Sequence, residues 1–145
     1  MNPKNDSLDN FIGHVRRHAV QYLGLAHINC RFNTPESIPA HHLSAEARRN
    51  LFLVVKEALH NIVKHSSATE VSIIVTLSGN ALEILLEDNG RGFKRDERVT
   101  SGNGLTNMKK RVEDIGGTFA IESETNHGTR VALAATLAPT AQRTG

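Results

Sequence analysis

The chain has 145 residues, 39% hydrophobic and 22% charged, which fits one folded soluble domain and excludes wholesale disorder. Lys and Arg total 17 against 15 Asp and Glu, a net charge of +2, and aromatics are 4% with no Trp, so neither a polyanion partner nor a base-stacking surface is expected. The single cysteine, Cys30, excludes an internal disulfide framework and fits a reducing compartment. The start lacks the apolar core of a signal peptide, and no apolar run is long enough to span a membrane.

Residues 1–7 are polar and are expected to form a tail. Leu8, Phe11, Ile12, Val15, Ala19, Tyr22 and Leu23 then fall on one helical face, predicting a helix over 8–24 that stops at Gly24. Ile28, Cys30 and Phe32 alternate as a strand, and residues 34–42, with Pro35 and Pro39, read as a loop. Ser44 is a helix cap. From 45 to about 66 there is neither Gly nor Pro, and Leu51, Val54, Val55, Ala58, Leu59 and Ile62 form a broad apolar stripe, predicting a long helix.

Val71, Ile73, Val75 and Leu77 alternate, Ser78-Gly79-Asn80 turns the chain, and Leu82, Ile84 and Leu86 alternate again, predicting a hairpin. Residues 89–104 contain four glycines and many charges, the composition of a mobile loop. A helix over 105–115 is closed by Gly116-Gly117. Two further strands follow, around Phe119–Ile121 and Val131–Leu137, joined at Asn126-His127-Gly128. Residues 139–145 carry no core positions and read as a second tail. The element order predicts an α+β, two-layer sandwich with a mixed or antiparallel sheet and helices on one face.

Four stretches carry candidate chemistry. Glu57, Asn61, Lys64 and His65 are spaced i, i+4, i+7 and i+8 on the long helix, a stripe of carboxylate, neutral oxygen and cations suited to Mg²⁺ and phosphate. The bland alternative is a solvated helix flank. Asp88 shares parity with Leu82, Ile84 and Leu86, so it points to the buried side and needs a partner such as an exocyclic amine. Gly90 and Gly92 follow it and would let backbone approach a flat ligand, although Asp-Asn-Gly is also ordinary turn chemistry. Ser101-Gly102-Asn103-Gly104 runs into a helix and presents free N–H groups to an anion. Residues 91–111 hold seven Lys or Arg against two Asp or Glu, a basic excess concealed by the near-neutral total. Gly128-Thr129 alone marks only a bend. Neither a G-x-x-x-x-G-K-[ST] loop nor a G-x-G-x-x-G fingerprint is present, and His41-His42 and Lys64-His65 lack zinc-ligand spacing.

The ordered run Glu57-x-x-x-Asn61-x-x-Lys64-His65-Ser-Ser-Ala, Asp88-Asn-Gly-x-Gly-Phe93, Gly102-Asn-Gly-Leu-x-Asn-Met108, Gly116-Gly and Gly128-Thr129 resembles the GHKL ATPase superfamily. It is most similar to the catalytic ATP-binding domain of bacterial sensor histidine kinases of the nitrate-sensor and desaturase-thermosensor type. The likeness covers residues 44–137. It implies a Bergerat-type sandwich over residues 8–138 with a lid at 93–104.

The resemblance also implies roles. Asn61 would hold Mg²⁺ and Glu57 would orient or deprotonate the attacking group. Lys64 and His65 would face the ATP phosphates, and Asp88 would accept the adenine amino hydrogen. Gly90 and Gly92 would open the adenine pocket, Gly102 and Gly104 would hinge the lid, Leu105 and Met108 would line the ATP site, and Thr129 would help floor it. The implied partner is a histidine-bearing dimerisation domain, with a response regulator downstream, no nucleic acid and no membrane contact by this segment. The setting would be the cytoplasmic portion of a membrane-associated kinase. None of the eight histidines is followed by Asp or Glu, so the phosphoacceptor is expected elsewhere. An anti-sigma-factor-type serine kinase and a non-catalytic nucleotide-binding module are the competing expectations.

Overall fold

The computed structural model describes residues 7–39, 41–91, 104–123 and 125–139. Helix α1 (Leu8–Leu25) begins where the Ser7 hydroxyl accepts the Asn10 N–H at 3.1 Å, and it buries Leu8, Phe11, Ile12, Val15, Ala19 and Leu23. Gly24 lies inside its last turn and does not stop it. The reversal occurs at His27, in the left-handed region at φ 61°, while the Ile28 N–H returns to the Leu23 carbonyl. That turn consumes residues 26–28, so strand β1 is Asn29–Asn33, later than predicted.

Strand β2 (His41–His42) precedes α2 (Ala45–Asn61), which Ser44 caps through the Ala47 N–H at 3.0 Å. The predicted helix to residue 66 does not remain α-helical. After Asn61 it widens into a π-turn, Ile62–Ser66, and ends at Ser67 with φ 58°. The Ser66 hydroxyl donates to the Ile62 carbonyl at 2.7 Å and accepts the Ala68 N–H at 3.0 Å, which fixes that ending.

Strands β3 (Glu70–Ser78) and β4 (Ala81–Asp88) form the predicted hairpin. Helix α3 (Gly104–Glu113) leads to β5 (Thr118–Ser123) and β6 (Thr129–Thr136), and β7 (Ala138–Pro139) pairs antiparallel with β2. Ser7 also bridges to His42. Ser7 and Pro139 therefore belong to the fold, not to tails, and residues 34–42 are not all loop. Two-residue strands carry no periodicity, and Pro is tolerated at such an edge.

The main sheet has the order β1-β3-β4-β6-β5, with β1 parallel to β3 and every other pair antiparallel. Val71, Ile73 and Val75 of β3, Leu82, Ile84 and Leu86 of β4, and Val131, Leu133 and Ala135 of β6 are buried together with the apolar faces of all three helices. The alternate positions are mixed, with Ile74, Leu85 and Ala132 in register and polar pairs such as Glu87 with Arg130 at 2.7 Å. The architecture is the predicted α+β sandwich, with a mixed sheet covered on one face. Buried Asn50 of α2 donates to the Arg111 carbonyl at 2.9 Å and anchors the end of α3.

Candidate functional site

The row Leu82, Ile84, Leu86 ends on Asp88, which occupies the next inward position of β4 and is 8% exposed. Its Oδ1 accepts the Gly90 N–H at 2.8 Å, whereas the buried Oδ2 has no hydrogen-bond partner. Burial pushes the carboxyl above its ordinary range, and the backbone N–H groups of Gly90 and Thr129 pull it partway back. An unsatisfied buried acceptor costs about 1–3 kcal/mol. It is an arrangement that an incoming N–H donor repairs.

The surroundings of Asp88 are set by close backbone packing. Gly128, at φ +81°, lies against it so tightly that a Cβ would fall 2.1 Å from the Asp88 carbonyl oxygen. Thr129 faces Asp88 across the β4–β6 register and is half-buried, its hydroxyl 3.0 Å from the Ser123 hydroxyl. A Cβ at Gly90 would meet the Ser66 carbonyl oxygen at 2.3 Å, so its missing side chain admits the π-turn.

Sequence reasoning missed three positions that hold these segments. Asn89, taken as turn chemistry, accepts the Thr69 and Glu70 N–H groups at 2.9 and 3.0 Å and donates to the Thr69 hydroxyl. Arg91 donates its backbone N–H to Ser66 at 2.8 Å and its Nε to the His65 carbonyl at 2.9 Å. Its carbonyl accepts the Asn126 N–H, joining the π-turn, the segment after β4 and the β5–β6 turn. Ser66 is the third, through its own turn. Serine after Lys64-His65 was the available signal for Ser66; nothing in the local pattern marked the long-range bonds of Asn89 and Arg91.

Glu57 and Asn61 are half-buried on the last turns of α2, and Asn61 caps nothing with its side chain. Lys64 and His65 are exposed on the π-turn, so the expected single α-helical stripe is broken after Asn61. The Arg91 bonds bring that turn beside the segment leaving Asp88. Met108 is buried in α3 and Leu105 packs against the core, while Gly104 opens the helix. Gly92, Gly102 and the lid expected at 93–104, apart from Gly104, lie outside the described residues.

A one-sided mixed sheet thus ends in a buried, half-satisfied carboxylate, beside a helix end that carries cations and an amide oxygen. Comparison with known proteins gives the class. The description "Histidine kinase-, DNA gyrase B-, and HSP90-like ATPase" matches residues 46–139. The chain belongs to that family, as a catalytic domain of the histidine kinase type.

Sensor histidine kinase LiaS of Bacillus subtilis is 35% identical over 97 residues, 67% of this chain and 27% of that protein. Sensor protein VraS of Staphylococcus aureus is 35% identical over 106 residues, 73% of this chain and 28% of that protein. The chain thus spans roughly a quarter of the length of these relatives. Solved structures share the fold: the catalytic domain of histidine kinase ThkA superposes with a TM-score of 0.71 at 17% identity, over 92% of this chain and 95% of that one. The histidine kinase domain of an Erythrobacter litoralis blue-light-activated kinase gives 0.72 at 20% identity, over 88% and 61%. Among the described residues no helix is long and apolar enough to cross a membrane.

Proposed function

We propose that this domain binds ATP with Mg²⁺ and transfers the γ-phosphoryl group to a histidine on a separate dimerisation domain, for relay to a response regulator. The observation that carries the reading is the buried Asp88 carboxylate with its unpartnered Oδ2, which suits the exocyclic amine of adenine. Thr129, fixed opposite Asp88 by register, forms part of the same floor. Lys64 and His65 present positive charge and donors to the phosphates, and Leu105 and Met108 supply apolar contact from α3. In this reading Gly90 and Gly92 open the adenine pocket, and Gly102 and Gly104 hinge the lid.

Asn61 fits a Mg²⁺ ligand because it offers a neutral amide oxygen at a half-buried helix end without a capping duty of its own. Bound there, the ion would neutralise phosphate charge. Glu57 sits one turn earlier on α2 and orients, or takes the proton from, the attacking imidazole. The imidazole nitrogen forms a bond to the γ-phosphorus as the bond to the ADP oxygen breaks. Such transfer depends chiefly on positioning and charge neutralisation.

The test is nucleotide titration of wild type and Asp88→Asn, followed by incubation with a histidine-bearing dimerisation domain. Saturable ATP binding that Asp88→Asn weakens at least about tenfold, with an acid-labile phosphate on the acceptor that Asn61→Ala abolishes, is the expected outcome. No binding by either protein at millimolar ATP, or an acid-stable product, would overturn it.

A further inference from the structure

Away from the nucleotide face, α1 and α2 enclose a groove of about 550 Å³. Phe11 and Phe52 line it, with His14, Arg17, Arg48 and Arg49, and no carboxylate contributes to its lining. The Phe52 ring is stacked on by His14 at 4.3 Å, met edge-on by His18 at 5.3 Å and approached by the Lys56 ammonium at 6.0 Å. Burial chiefly, with Lys56 and His14 nearby, holds His18 below the ordinary histidine range.

Among the described residues Arg17 and Arg49 take part in no ion pair. Three arginines thus meet in one concave place with no carboxylate among its lining residues. The same side of α1 continues through His14, His18, Gln21 and Leu25 at i, i+4, i+7 and i+11, ending on Leu25, which is 78% exposed. That stripe is about 17 Å long, three turns of helix, and ends on the apolar Leu25.

We propose that the α1–α2 groove docks an acidic amphipathic helix of a partner protein. The helix would lay an apolar ridge on Phe52 and Leu25 and set carboxylates against Arg17 and Arg49. A concave floor of rings between two helices fits a helix ridge better than a flat bilayer, and its length exceeds what a small anion would use. The inference is independent of the nucleotide reading, because no residue of that site lines the groove.

The probe is an amidated helical peptide of about 16 residues, with a Leu and Phe stripe flanked by Glu at i and i+4, titrated into the full chain and followed by NMR. Shifts are expected at His14, Arg17, Arg49 and Phe52, diminishing between about 50 and 300 mM salt. In the Arg17→Glu/Arg49→Glu double variant the dissociation constant is expected to rise at least about tenfold, with thermal melting and ATP titration unchanged. Three results would each overturn the proposal: no shifts in this groove, equal binding of the peptide with Gln for every Glu, or wild-type affinity in the double variant. Citrate displacing the peptide at equal concentration would reassign the groove to small anions and also overturn it.

Discussion

The two ends of β4 are built on different principles. At one end Leu82 pairs in register with Leu77 and Ala135, all inside an apolar layer that other hydrophobes of similar volume could fill. At the other, the same inward row closes on Asp88, and its neighbours are positioned by backbone contacts without slack: Gly90 against Ser66 and Gly128 against Asp88. The apolar end makes the sheet stable. The polar end gives up stability to hold an unsatisfied acceptor in a fixed place.

Substitutions can break this contrast in order of expected size. Leu86→Ala empties a fully buried position in the apolar part of the row and is expected to cost about 2–5 kcal/mol in chemical denaturation. Gly128→Ala should cost less, about 1–3 kcal/mol, because its positive φ and the Asp88 carbonyl both oppose a Cβ. Unlike Leu86→Ala, it should displace the Asp88 segment, so ATP affinity should fall further than stability does.

Asp88→Asn should act in the opposite direction on the empty fold and raise its stability by about 1 kcal/mol. The sign follows from linkage. The folded state holds the Asp88 proton more tightly than the unfolded chain, so this group favours folding most below its unfolded pKa and loses that contribution as pH rises through the folded one. The stability gap between Asp88→Asn and wild type should therefore widen from acid to neutral pH in paired urea melts. A gap independent of pH would mean that Asp88 is not penalised by its burial.

Much of the fold was legible because it is written in period. Leu82, Ile84 and Leu86 alternate, and Leu51 to Ile62 repeat with helical spacing, so the hairpin and α2 could be placed from local pattern alone. The same parity puts Asp88 on the inner face. What escaped was non-periodic. The π-turn after Asn61 depends on Ser66 bonding back to Ile62, and the place of Gly90 depends on a turn 24 positions earlier in the chain. Asn89 and Arg91 looked like loop residues because their partners are brought near only by the finished sheet. The roles assigned to Glu57, Asn61, Lys64 and His65 came through family likeness, and spacing alone left them equivalent to a solvated flank.

The small β2–β7 pairing carries a mechanical consequence. It joins the segment before α2 to the strand after β6, and Ser7 at the head of α1 is bridged to the same His42. Tension applied between Ser7 and Pro139 meets these few bonds before it reaches the five-stranded sheet. The seam is a fuse: it would yield under load while the Asp88 end of β4, three strands deep in hydrogen bonds, kept its shape.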